Sequence, residues 1–193
     1  LRVILLLFET GKLKIRYLQE RDKQLLVKWL SDPAVLEYYE GRDNPFDLAK
    51  VEKAFYGKDN GVFKCLVLYG EAAIGYIQFY PVNKQTSTIN DFDEQENTYG
   101  IDQFIGEPDY WNKGIGTLLV RGIVEFLTDK KQAHNVILDP QLSNKRAIRC
   151  YEKCGFYKVR VLPGHEWHEG EYRDCLLMAL KAKQKGVKTF ENR

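Results

Sequence analysis

From residue 98 to residue 140 the chain passes from strand character ("TYGIDQFIG") through a turn with two close glycines ("EPDYWNKGIG") into an amphipathic helix ("TLLVRGIVEFL") and out to a short apolar strand ("HNVILDP"). This stretch constrains the fold most, because a helix inserted between strands excludes a simple all-β meander. Upstream, "VFKCLVLYGEAAIGYIQFY" (62–80) reads as a hairpin of β-branched and aromatic residues turning at Gly70 and Glu71. Strands that first run in hairpins and then alternate with helices predict an α/β (α+β) chain with one mixed sheet flanked by helices.

The other segments fit that frame. "KLKIRYL" (12–18) alternates as a strand, and Leu25, Leu26, Trp29 and Leu30 recur at helical spacing before Pro33 interrupts them. Residues 47–57 predict a short helix capped by Asp47 and stopped at Gly57. Residues 81–97 are polar and aperiodic, as a long exposed loop is. "SNKRAIRCYEKCGF" predicts a helix capped by Ser143 or Asn144 and ended by Gly155, with Ala147, Ile148, Tyr151 and Cys154 on one stripe. "FYKVRVLP" and "RDCLLMAL" are the last two strands. The opening "LRVILLLF" is too short to span a bilayer and lacks the features of a signal peptide. The expected division is therefore an arm or strand over residues 1–11, one domain over 12–181, and a basic, polar, mobile tail over 182–193.

Composition removes several function classes. With 44% hydrophobic and 29% charged residues the chain is an ordinary globular one, and 29 basic against 27 acidic residues leave no overall field to recommend nucleic acid. No membrane partner is expected either, and the chain is expected to be a monomer or weak homodimer. Cys65, Cys150, Cys154 and Cys175 form no CxxC pair, which points to a reducing, cytoplasmic compartment. Cys150 and Cys154 share a helical face and read as buried packing. His134, His165 and His168 lack metal-ligand spacing, so no metal is expected.

The glycine turn carries the first chemical signal. The amides of a helix's first turn lack internal partners and its dipole is positive there, so the mouth suits phosphate, with Gly114 and Gly116 clearing side chains and Lys113 adding a cation. The pattern is neither GxGxxG nor GxxxxGK[ST], and by itself it is equally a close-packed turn. Here a family resemblance enters. "WNKGIGT" resembles the Arg/Gln-x-x-Gly-x-Gly/Ala acyl-CoA loop of the GCN5-related N-acetyltransferases, and "NKRAIRCYEKCGF" resembles their following motif, over roughly residues 12–180. The resemblance implies their fold, a mostly antiparallel sheet splayed between two central parallel strands, and acetyl-CoA as co-substrate. Trp111 departs from it, standing where the family usually has Arg or Gln. More narrowly, "EYYEGRD", "YGIDQFIGEPDYWNKGIGT", "VILDPQLSNKRAIRCYEKCGF" and "HEWHEGEYRDCLLM" are similar to aminoglycoside 6'-N-acetyltransferases. That likeness implies transfer of acetyl from acetyl-CoA to the 6'-amine of kanamycin-type antibiotics, and hence resistance.

The same resemblance assigns candidate roles. Phe104, Ile105, Lys113, Gly114, Ile115, Gly116, Thr117 and Asn144 are the implied acyl-CoA contacts. Asp102 is implied beside the acceptor amine, either taking its proton or anchoring it as an ammonium. Tyr151 is implied near the sulfur, as a proton donor to the departing thiolate, although a Tyr at helical spacing also reads as core. Tyr39, Asp93, Asp102, Asp139 and Glu169 are the implied contacts of a polycationic aminoglycoside. Charge distribution agrees. "NDFDEQEN" (90–97) and "HEWHEGE" (165–171) carry acids and no Lys or Arg, whereas Lys113, Lys145, Arg146 and Arg149 flank the acyl-CoA elements. Tyr38, Tyr39 and Trp167 offer stacking faces, while Trp29 reads as core. No nucleophilic Ser or Cys has a base nearby in sequence, so direct transfer in a ternary complex is expected. Two other readings stand beside it: a same-fold acyltransferase for another amine, such as a siderophore hydroxylysine intermediate or a protein N-terminus, and a non-catalytic acyl-CoA-binding sensor.

Overall fold

The structure, a computed structural model, describes residues 6–58, 61–82, 89, 91–93 and 95–182. The start of the expected arm, the tail beyond Ala182 and parts of the polar loop lie outside the described residues.

One eight-stranded sheet organises the chain, in the spatial order β1-β2-β3-β4-β5-β6-β8-β7. Its strands are β1 (Leu6–Thr10), β2 (Leu13–Tyr17), β3 (Phe63–Tyr69), β4 (Ala72–Pro81), β5 (Thr98–Ile105), β6 (Asn135–Leu138), β7 (Tyr157–His168) and β8 (Glu171–Lys181). The helices are α1 (Lys23–Trp29), α2 (Pro33–Leu36), α3 (Leu48–Phe55), α4 (Ile115–Lys131) and α5 (Lys145–Lys153). The expected mixed sheet is therefore present, antiparallel throughout except for β5 beside β6. A strand-helix-strand connection through α4 makes that pair parallel, as such crossovers do.

The parallel pair is also where the sheet opens. β5 and β6 are in register from Thr98 and Asn135 only to Gly100 and Ile137. On its other edge β5 stays paired with β4 out to Ile105. Beyond Gly100, then, β5 and β6 part, and the two sides of the sheet communicate through the gap.

Alternation along β5 places its side chains on opposite faces. Ile101 and Ile105 pack with Ile115, Leu119 and Ile148 beneath α4 and α5. Phe104 packs with Tyr76, Trp29, Val51 and Phe55 beneath α1 and α3. Trp29 is fully buried, as its place on the apolar stripe predicted. Its ring lies so close to Gly106 that a Cβ there would come within 2.2 Å of it, so only glycine lets β5 turn off into the loop before α4.

The last hairpin differs from expectation. β7 and β8 continue past Pro163 and start before Arg173, carrying the ladder to His168 and Glu171. Pro163 does not stop β7, because β7 is the edge strand and its pairing with β8 is interrupted between Leu162 and Glu166, where a missing N–H leaves no ladder bond unmade. "HEWHEGE" is consequently a hairpin tip reaching back over the opening of the sheet.

Candidate functional site

Helix α4 begins at Gly114, whose φ of +77° is a left-handed conformation that a side chain would strain. Asp32, Asp47 and Asn144 cap α2, α3 and α5 with side-chain oxygens, but Gly114 offers the first turn of α4 no such acceptor. The amides at this mouth are thus left to a ligand or to water. A Cβ on Gly116 would meet only the Cys150 Sγ, at 3.7 Å, so the packing alone does not require glycine there. Cys150 and Cys154 are partly exposed rather than buried as their spacing suggested. Their sulfurs lie against the first turn, 3.4 Å from Thr117 Oγ1 and 3.6 Å from the Thr117 carbonyl oxygen.

A cavity of about 590 Å³ opens in front of this mouth, between β5, α4 and α5. Phe104, Ile105, Gly114, Gly116, Thr117 and Asn144 line it, together with Tyr39 and Tyr151. Arg146, Arg149 and Lys153 supply its charge, and no carboxylate is found among the described residues that line it. Ile115 points instead into the core, 5% exposed, and Lys113 stands exposed outside the lining. The Oδ1 of Asn144 accepts from Ala147 N at 3.1 Å, leaving the Nδ2 as the group it can offer a ligand. Trp111 donates its indole N–H to the Ile105 carbonyl at 2.8 Å. On the ring of Trp111, at 4.3 Å, and on that of Tyr38, at 4.8 Å, rests the Arg146 guanidinium. A cation from α5 thus occupies the neighbourhood of the loop position that lacks one.

A second cavity, of about 640 Å³, has the opposite charge. Glu40, Asp43, Asp102, Asp139 and Glu166 line it with no Lys or Arg among the described lining residues. Tyr38, Tyr39, Gln103, Asn144 and Tyr151 line both cavities, so the two meet where the sheet splays.

The polar groups at this junction are tightly held. Tyr76 donates to Gln78 Oε1 at 2.7 Å, and Gln78 Nε2 donates in turn to Asp102 Oδ2 at 2.7 Å. Burial pushes the Asp102 carboxyl up from 3.8 to about 6 against the pull of the Gln78 bond, and the nearby Asp139 carboxylate pushes it the same way. Gln103 Nε2 donates to Tyr151 Oη at 2.6 Å. Burial holds the Tyr151 phenol well above its usual range, so at neutral pH it carries its proton. Asp139 Oδ2 lies 2.9 Å from His165 Nε2 on the hairpin tip.

Two of the expected acceptor contacts lie elsewhere. Glu169 stands outside the lining, with φ of +50°, and accepts from the Arg42 backbone N at 3.0 Å, from Nε at 2.5 Å and from Nη2 at 2.8 Å. Those bonds hold its carboxyl at about 2. Asp93 also lies outside the lining and accepts from Gln95 N at 2.9 Å. Asp91 pairs with Arg160, and Glu96 with Asn135 and Lys181, so these acids of the "NDFDEQEN" stretch serve the loop's own attachment. The acids of the cavity come from four places: Glu40 and Asp43 after α2, Asp102 within β5, Asp139 just past the end of β6, and Glu166 in β7. Glu40, Asp43 and Glu166 lay inside the quoted segments, but counting charges could not say which acid faces inward. Trp167, 58% exposed, borders this cavity, its ring 5.0 Å from that of Tyr172. Gln78 and Gln103 gave no sequence signal beyond the adjacency of Gln103 to Asp102.

Among the described residues no cluster of His, Cys, Asp and Glu is arranged to hold a metal ion, and no helix is long and apolar enough to cross a membrane. The family described as "Acetyltransferase (GNAT) domain" matches residues 19–163. The aminoglycoside N(6')-acetyltransferase type 1 of Klebsiella pneumoniae is 31% identical over 145 residues, covering 74% of this chain and 72% of that protein. A kanamycin resistance protein of Rhizobium radiobacter is 49% identical over 57 residues, 30% of this chain and 53% of its own length. Among solved structures, aminoglycoside acetyltransferase AAC(6')-Ib with ribostamycin and coenzyme A superposes with a TM-score of 0.73 at 27% identity, covering 89% of this chain and 94% of that one. With a glycine-opened helix mouth, a sheet splayed beyond Gly100 and a family match over most of its length, the chain belongs to the GNAT acetyltransferase family.

Proposed function

We propose that the chain transfers acetyl from acetyl-CoA to the 6'-amine of a kanamycin-type aminoglycoside, by direct attack within a ternary complex. One observation carries the reading: two cavities of opposite charge, one with three bases and the other with five carboxylates, meet at a single polar junction. A polyanionic nucleotide suits the first and a polycation the second. The relatives named above support the choice of acceptor.

The fit of the cofactor rests on the uncapped α4 mouth and on the open space over Gly116. When bound, acetyl-CoA supplies an acetyl thioester. The first-turn amides of α4 hold its pyrophosphate, assisted by Arg149 and Lys153, and Asn144 with the backbone of Phe104 and Ile105 receives the pantetheine arm. Asp139, Glu40, Asp43 and Glu166 neutralise the ammonium groups of the acceptor, while Tyr39 and Trp167 supply faces for its rings. Asp102 takes the proton that the attacking nitrogen loses, a role that its carboxyl at about 6 fits better than an ordinary Asp would. Tyr151 gives its phenolic proton to the departing sulfur as the carbon–sulfur bond breaks.

The test supplies acetyl-CoA with kanamycin, its 6'-hydroxyl analogue or lysine-type amines, and follows release of free thiol. Kanamycin should turn over with intersecting initial-rate patterns and the 6'-hydroxyl analogue should not. Equal turnover of both would refute the regiochemistry, preference for lysine-type amines would refute the acceptor class, and a trapped acetyl-enzyme would refute direct transfer.

A further inference from the structure

Gln103 is the one side chain of β5 that borders both cavities and also touches a residue proposed to move a proton. Its Nε2 donates to Tyr151 Oη at 2.6 Å, while its Oε1 is buried with no hydrogen-bond partner. A buried amide oxygen without a donor is unfavourable unless something arrives to satisfy it. Gln78, three residues from the end of β4, makes the contrast: its Oε1 receives Tyr76 and its Nε2 serves Asp102, so both ends of that amide are occupied.

The direction of the Gln103 amide decides where the phenolic hydrogen points. A phenol has one hydrogen to give. With Nε2 donating to Oη, the oxygen of Tyr151 is already an acceptor and its hydrogen must turn toward another partner at the junction. With the amide turned over, Oε1 would take that hydrogen and withhold it from the sulfur. A ligand N–H that binds Oε1 therefore holds the amide in the orientation that releases the Tyr151 proton.

We infer that Gln103 is a positioning residue of acetyl transfer: a substrate N–H occupies its Oε1 while its Nε2 turns the Tyr151 hydrogen toward the departing sulfur. The inference rests on Tyr151 being the proton donor in the function proposed above. The N–H comes from the acceptor amine or from a pantetheine amide, and the KM that rises in Gln103→Leu, for kanamycin or for acetyl-CoA, tells which.

A double-mutant cycle tests it. Single-turnover acetylation of kanamycin is measured for the wild type, Gln103→Leu, Tyr151→Phe and the double variant, with Gln103→Met as a second, unbranched replacement. Tyr151→Phe should lower the rate by about 10²-fold, the lower end of general acid catalysis, and Gln103→Leu by at least about tenfold. The double variant should fall no more than about twofold below Tyr151→Phe, because Gln103 has nothing left to orient. Losses that multiply in the double variant would overturn the inference and leave the proposed function standing. A Tyr151→Phe protein at the wild-type rate would instead remove the proton donor and, with it, the inference. If kanamycin fails to turn over, the acceptor reading fails separately, and the same cycle is run on the amine that does.

Discussion

The two cavities that meet at Tyr151 are built on different plans. The basic one is framed by backbone: a left-handed Gly114, an uncapped helix mouth and a strand end freed by the splay, with Arg146, Arg149 and Lys153 along α5. The acidic one is framed by side chains gathered from α2's exit, β5, the end of β6 and the β7–β8 hairpin. A site made of main chain depends on local conformation and tolerates changes in side chains around it. A site made of side chains depends on the tertiary fold bringing distant residues together, and on their protonation.

That contrast is sharpest at Asp102, where the largest effect is expected. Asp102→Asn removes the carboxylate that accepts from Gln78 and should lower kcat/KM by about 10²- to 10⁴-fold. In the wild type, kcat/KM should rise with pH to a plateau with its acid midpoint near 6, where burial places the carboxyl. The sign for stability is the reverse. Because the folded-state value lies above 3.8, folding favours the protonated form, and the stability this group contributes is lost as pH rises from about 4 through about 6. Asp102→Asn should therefore melt higher than the wild type at pH 7–8, with the difference vanishing toward pH 4. A pH-rate profile flat between 5 and 7 would remove Asp102 as the titrating base.

On the backbone-built side the order of two losses is informative. Gly114→Val forces a β-branched residue into φ of +77° and should weaken coenzyme A binding by at least tenfold in a titration. Trp111→Ala leaves the α4 amides in place but removes the ring beneath Arg146, and should weaken binding by only about two- to fivefold. The reverse order would show that the Trp111–Arg146 stack, and not the helix mouth, is the main grip on the cofactor.

Legibility in the sequence followed the same division. The α4 mouth was readable because its determinants are consecutive: Gly114, Gly116 and the helix they open lie within one short stretch, and Asn144 caps the same short helix that carries Tyr151 about two turns on. The mixed sheet was readable for a similar reason, since hairpins and a strand-helix-strand unit are local patterns. The lining of the acidic cavity was only half readable. "NDFDEQEN" and "HEWHEGE" announced acidity, but Asp91 and Glu96 are bound to bases and amides of other elements, which no charge count can foresee. Gln103 and Gln78 were silent, because their roles rest on partners 48 and 24 residues away. The extension of β7 beyond "FYKVRVLP" was silent as well, because the ladder resumes past Pro163 only through the pairing of Glu166–His168 with Glu171–Arg173.

The smallest expected effect probes how the side-chain cavity is closed. Arg42 and Glu169 join the segment after α2 to the tip of the β7–β8 hairpin, on either side of the acidic cavity whose wall includes Glu40, Asp43 and Glu166. The pair is largely solvent-facing on the Arg42 side, 53% exposed, and an ion pair of that kind contributes little to overall stability. Its value is geometric, since it fixes the distance between two walls that carry carboxylates. Arg42→Ala should leave the melting temperature within a degree or two. It should raise the KM for kanamycin by about two- to fivefold and leave coenzyme A affinity unchanged, because no wall of the basic cavity passes through Arg42 or Glu169. High salt should mimic the substitution in the wild type and add nothing in Arg42→Ala. An equal loss of coenzyme A binding would mean that the two cavities are held by one common brace, and that the division between a backbone-built and a side-chain-built half does not extend to their mechanics.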